Sequence, residues 1–122
     1  MGYYDMEEPT YVVDVLGTQY LVYADAPVEE DPMLEGCDGY CDWTIKRIAI
    51  AGKTKDEEHA DFEMRKKVNL RHEIIHAFLY ESGIDQNTTW DIEGQAHPEQ
   101  MVQWMARQFP KIQEAFMKVN AI

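Results

Sequence analysis

Residues 72–76 read His-Glu-Ile-Ile-His, an H-E-x-x-H pattern, and they constrain this chain more than any other segment. On a helix, residues four apart lie one turn above each other on the same face. The two imidazoles then converge on a single point, where one metal ion can take both. Glu73 sits beside them, placed to accept a proton from metal-bound water. Ile74, Ile75, Phe78 and Leu79 give the same helix an apolar surface to bury. Buried imidazoles on such a helix need polar partners, and a metal supplies them. The plainer alternative is two histidines and a glutamate on a solvated or hydrogen-bonded helix face.

The rest of the chain divides around this helix. Thr10–Leu16 and Gln19–Ala24 are β-branched and aromatic, with Gly17-Thr18 as a turn between them, so a hairpin is expected. Residues 25–36 contain Pro27, Pro32, Gly36 and a run of acids, and read as a loop. Two more extended segments are expected at Gly39–Asp42 and Thr44–Ile50. The alternation in the last is imperfect, which leaves its register open. After Gly52 the pattern turns helical. Acids at 56–63 precede bases at 65–67, as a helix macrodipole favours. A helix over about 58–81 would end at Gly83, a suitable left-handed C-terminal residue. Residues 84–97 read as a loop. Pro98 suits the first turn of a helix reaching Phe109, and Pro110 separates it from a last short helix at 111–119. The expected fold class is α+β. A small antiparallel β-sheet in the N-terminal half packs on the H-E-x-x-H helix and C-terminal helices, in one domain spanning residues 1–122.

Composition removes some functions. The chain has 122 residues, enough for one ordinary domain. Its 23 acidic and 11 basic residues give a formal charge of −12. That field repels a phosphate backbone, so no nucleic-acid partner is expected. Arg65, Lys66, Lys67 and Arg71 form the one basic cluster, and it reads as a solvated helix face. No apolar run is long enough for a membrane span, and Met1–Glu8 lacks the features of a signal peptide. A cytoplasmic location follows as the expectation. Cys37 and Cys41 lack the second ligand pair of a structural zinc site and read as thiols in a reducing compartment.

Two histidines do not complete a catalytic zinc site, which usually takes three protein ligands and one water. The extended pattern H-E-x-x-H-x-x-G-x-x-H fails, because its glycine falls on Leu79 and its third histidine on Ser82. The candidates are Glu99 and His97 at the mouth of the next helix, with Asp91 and Glu93 in the preceding loop. Glu99 is favoured, since the first turn of a helix aims a carboxylate rigidly. Acids are common there in any case, because they offset the helix dipole. His59 stands more than three turns before the motif and is expected on the surface.

The stretch Arg71-His-Glu-Ile-Ile-His-Ala-Phe-Leu-Tyr-Glu-Ser-Gly83 resembles the active-site helix of small zincin-like proteins of phages, prophages and bacteria. Glu99-Gln-Met-Val-Gln-Trp-Met-Ala106 is similar to the second helix of that group, where a glutamate opens E-x-x-V-D-W-x-A. Together the two segments cover under a third of the chain. The resemblance, which extends to gluzincins, implies a zincin-like fold and a zinc-dependent metallopeptidase. His72, His76 and Glu99 would hold Zn2+, and Glu73 would act as general base on the zinc-activated water and pass the proton to the leaving amine. The substrate would be a protein or peptide. Many relatives carry an aspartate four residues after the glutamate to orient a zinc-bound histidine; this chain has Gln103, which can accept a hydrogen bond but brings no charge.

Tyr80, one turn past His76, is a candidate for the cleft wall or oxyanion contact. Residues 44–50 are candidates for an edge that binds extended substrate by strand addition. The competing expectation is a non-catalytic zincin-like module that binds a protein partner and uses zinc structurally. A third is an acidic interaction protein without metal. Oligomeric state is left open by the sequence.

Overall fold

The computed structural model describes residues 8–53, 61–83 and 99–122, with only the backbone described at 99, 100, 102, 103 and 106. His59, Asp91, Glu93 and His97 lie outside the described residues. So do the lead-in at 1–7, the expected helix start at 58 and the loop at 84–97.

The order is β1 (Tyr11–Val15), β2 (Thr18–Ala26), two single-turn 3-10 helices (Val28–Glu30 and Pro32–Leu34), β3 (Gly39–Asp42), β4 (Arg47–Ala51), α1 (Phe62–Ser82) and α2 (Glu99–Lys118). The α+β class is therefore as expected, but the sheet is mixed rather than antiparallel. Its strand order is β1-β2-β4-β3. β1 and β2 form an antiparallel hairpin, β3 and β4 are antiparallel, and β2 runs parallel to β4. The reason is the crossing between β2 and β3. It carries the chain past the next strand position, so β3 becomes the outer edge and β4 folds back into the gap. Period-2 patterning reports which face a residue occupies and is silent on strand direction.

The expected turn at Gly17-Thr18 is one residue early in fact. Leu16 and Gly17 both have positive φ, as a two-residue turn matched to strand twist requires, and Thr18 already pairs with Val15. The expected strand at 44–50 also shifts. The Asp42 side chain captures the amide of Thr44 at 3.0 Å, the chain turns, and pairing resumes at Arg47. Residues 44–50 are thus no free edge. β4 is central and paired on both sides, and among the described residues the edges are β1 and β3.

Burial on both faces explains the blurred alternation of β4. Ile48 and Ile50 enter a core with Val13, Val15, Tyr20 and Val22 of the hairpin, Leu70, Ile74 and Phe78 of α1, and Ile112 and Phe116 of α2. Ala49 points the other way, into a smaller cluster with Tyr23, Ala26 and Leu34 under the 3-10 turns. There Asp31 is buried and accepts from the Tyr40 hydroxyl at 2.8 Å, so its charge is not left unpartnered.

α1 starts at an Asp61 cap whose carboxylate accepts from the amide of Met64 at 3.0 Å. It ends at Gly83, where φ is 72° and the amide returns to the carbonyls of Leu79 and Tyr80. α2 continues through Pro110 rather than breaking there. A helix-interior proline removes one hydrogen bond and costs about 3 kcal/mol. Here Pro110 is exposed, while half-buried Trp104 before it and buried Ile112, Ala115 and Phe116 after it lie in one packed stripe. That shared burial offsets the break. The basic cluster is solvated at Arg65 and Lys67 and half-buried at Lys66 and Arg71, and three of its charges have partners. Arg65 pairs with Asp38 and Lys66 with Asp25, and Arg71 donates to the carbonyl of Ala121 at 2.6 Å, fastening the end of the chain to α1.

Candidate metal centre

α1 buries Leu70, Ile74, Ala77 and Phe78 against the sheet. A 3.6-residue period then obliges His72 and His76 to share the opposite, exposed stripe. Their rings meet with centroids 4.8 Å apart and Nε2 atoms 3.1 Å apart. Zinc binds imidazole nitrogen at about 2.0–2.1 Å, so two tetrahedral nitrogen ligands stand roughly 3.3 Å apart. The observed spacing fits one shared ion with little movement. The same contact also suits a hydrogen bond between one protonated and one unprotonated Nε2. Partial burial of its ring, followed by the neighbouring His72, holds His76 below the ordinary histidine range. A neutral imidazole is the form that binds metal.

Glu73 takes the next position round the helix and is turned toward β3. It is 91 % buried by area, yet its carboxylate and the two imidazoles place ligand atoms within 4.8 Å of one another. Burial pushes its carboxyl above the usual range, and His72 partly opposes this. Such a group holds and releases a proton closer to neutrality than a surface glutamate does. Gly39 of β3 makes the close approach possible. A Cβ there would stand 3.5 Å from Cγ of Glu73, 2.8 Å from Cδ1 of Ile50 and 2.9 Å from the Ala49 carbonyl oxygen.

Tyr80 extends the histidine stripe, with its ring centroid 6.3 Å from that of His76. It stacks on Trp43, in the turn after β3, at 6.1 Å and 26°. Lys46 lies 5.5 Å from the centroid of the Trp43 ring and makes a 2.8 Å ion pair with Glu81, which also accepts from the Tyr20 hydroxyl at 2.6 Å. Burial raises Glu81, but hydrogen bonds from Lys46, Tyr20 and Thr18 outweigh it and hold the carboxyl below its ordinary value. Desolvation and the bond to Glu81 push the Tyr20 phenol upward. Cys41, on the inner face of β3, is pushed up to about 12 by burial, with Glu73, Asp42 and Glu81 adding to the effect.

Sequence reasoning reached His72, Glu73, His76 and Tyr80, because helical spacing alone brings them together. It missed Trp43, Lys46, Glu81 and Tyr20. No local spacing links residues on β2, a turn and α1. Glu99 opens α2 as expected; its side chain, and that of Gln103, are outside the described set. Trp104 of α2 donates from Nε1 to Oγ of Ser82 at 3.1 Å, tying α2 to the C-terminal end of α1. A cavity of about 530 Å3 opens between β1 and α2, lined in part by Asp14, Glu114, Lys111 and Lys118. It touches none of the histidine stripe and its charges balance, so the histidine group is the stronger candidate. Comparisons of the chain with known protein families, with characterised proteins and with solved structures find no match.

Proposed function

We propose that this chain is a zinc-dependent metallopeptidase of zincin-like type, acting on a protein or peptide. The observation that carries the reading is the 3.1 Å approach of two Nε2 atoms on one exposed helical stripe, with a buried glutamate beside them. His72 and His76 would hold Zn2+, with Glu99 as third ligand in the first turn of α2. Zinc in such a site acts as a Lewis acid and brings a bound water to a pKa of about 7. Glu73 accepts the proton of the attacking water, keeps it in its desolvated niche, and delivers it to the departing amine. Among the described residues β3 is an edge strand that runs beside Glu73, and an extended peptide would add there as a further strand. The likeness of residues 71–83 and 99–106 to small phage-related and bacterial zincin-like proteins supports the same reading. Free thiols at Cys37 and Cys41 suit a reducing, cytoplasmic setting.

Gln103 favours one alternative, a non-catalytic module with structural zinc, since it lacks the charge that orients a zinc-bound histidine in the resembled group. Metal analysis of the wild type and His76→Ala tests the site: about one zinc per chain, lost in the variant, is expected. Proteolysis of a peptide library by wild type and Glu73→Gln then separates enzyme from module. Zinc binding without any Glu73-dependent cleavage would leave the module.

A further inference from the structure

We propose that the groove between β1 and α2 binds an extended peptide segment of a partner protein, in which acidic side chains alternate with apolar ones. This groove lies apart from the histidine stripe, and its occupancy does not require that the chain cleave peptides. The backbone of β1 suits such a guest. Leu16 and Gly17 make a two-residue turn, so Val15 and Thr18 exchange hydrogen bonds and bonded pairs alternate from there. Val13 therefore turns its N–H and C=O to β2, while Val12 and Asp14 turn theirs away. Leu21, opposite Val12, accordingly donates away from β1, to the Lys46 carbonyl at 3.0 Å. Among the described residues, no backbone partner reaches the outward groups of Val12 and Asp14. Unpaired groups of this kind are a template for a further strand.

The cavity of about 530 Å3 lies along that edge. The side chains of Val12 and Asp14 stand on one face of the strand and that of Val13 on the other, so a cavity that touches all three follows the edge between them. Its volume falls within the roughly 300–1,000 Å3 of ligand clefts. The opposite wall is α2, on which Lys111, Glu114 and Lys118 form one stripe. None of these three makes an ion pair among the described residues. The Asp14 carboxylate accepts from the Gly17 amide of its own turn at 3.4 Å. Two ammonium groups thus stand against one uncommitted carboxylate, and a strand laid on the edge turns every second side chain toward them. Carboxylates suit those positions. The intervening side chains fall beside Val12 and its cross-strand neighbour Leu21, each 38 % exposed, where apolar groups suit. The formal charge of −12 opposes an acidic peptide at a distance. Salt at about 0.15 M screens that field beyond about 8 Å and leaves contact pairs in force.

The test uses an acetylated peptide amide, Val-Glu-Val-Glu-Val, with its Gln and Lys counterparts, titrated into the full chain at about 0.15 M salt. The Glu peptide should bind about tenfold more tightly than the Lys peptide, with the Gln peptide between them. Lys111→Glu together with Lys118→Glu should reverse that order, and both lysines are exposed, so the fold should hold. Residue-resolved hydrogen exchange should show the Val12 and Asp14 amides slowed about tenfold or more by the saturating Glu peptide. No binding by any of the three peptides, an order that survives the double substitution, or binding that leaves both amides unslowed overturns the proposal. Protection of the two amides that grows with protein concentration alone would place a second copy on the edge, and overturns it as well.

Discussion

The histidine pair and the Trp43 platform sit one helical turn apart, yet they are built in opposite ways. His72, Glu73 and His76 come from one turn of one helix, and their geometry is fixed once that turn forms. The platform draws Tyr20 from β2, Trp43 and Lys46 from the β3–β4 turn, and Tyr80 and Glu81 from α1. Its hydrogen bonds span 61 residues between Tyr20 and Glu81 and 35 between Lys46 and Glu81. The first region needs only a helix. The second exists only when sheet and helix have docked.

The largest effect should separate them outright. Glu73→Gln is expected to lower turnover by about 10²–10⁴-fold, the usual contribution of a general base, with zinc content and the Trp43 environment unchanged. Steady-state kinetics, metal analysis and tryptophan fluorescence would measure the three. If cleavage persisted at the wild-type rate, Glu73 would not be the base.

Phe78→Ala should damage both regions together. Phe78 is fully buried between α1 and the sheet, and a phenylalanine-to-alanine cavity costs about 3–5 kcal/mol. Urea unfolding would register the loss. A cost near zero would mean that α1 is not packed as described. Gly39→Ala is expected to cost about 1–3 kcal/mol, since the added Cβ meets the Ala49 carbonyl as well as the flexible end of Ile50. It should also displace β3 from Glu73, lowering turnover more than zinc affinity.

A smaller effect isolates the platform through pH. Glu81 has a depressed pKa in the folded protein. Its stabilisation is complete above the unfolded value of about 4.3 and is lost as pH falls through the lower folded value. Thermal melts of Glu81→Gln should therefore show a flatter loss of stability below about pH 4.3 than the wild type does. Parallel curves would remove Glu81 from the acid response. The mildest test is thiol chemistry at pH 8. Exposed Cys37 should alkylate readily, whereas Cys41, partly buried and pushed up to about 12, should react only on unfolding. Mass spectrometry after brief iodoacetamide treatment reads both sites.

Much of this molecule was legible without coordinates. Asp61 and Gly83 bracket α1 close to where the motif and the glycine place it, with Phe62 opening the helix behind the Asp61 cap. The hairpin of β1 and β2 follows from its alternating residues, displaced by one at the turn. The candidate metal group is local, so its spacing states its geometry. The errors are of another kind. The parallel pairing of β2 with β4, the edge position of β3 and the unbroken course of α2 through Pro110 each depend on partners distant in the chain.

The sequence by itself determined the helix that carries His72, Glu73 and His76 and the acidic charge of the whole, because these rest on short-range periodicity and on counting. Tertiary structure alone decided that Glu73 is buried against Gly39, that β3 rather than β4 is an edge strand among the described residues, and that Trp43 meets Tyr80. Those outcomes depend on which elements exclude water from one another, and no local spacing encodes that choice.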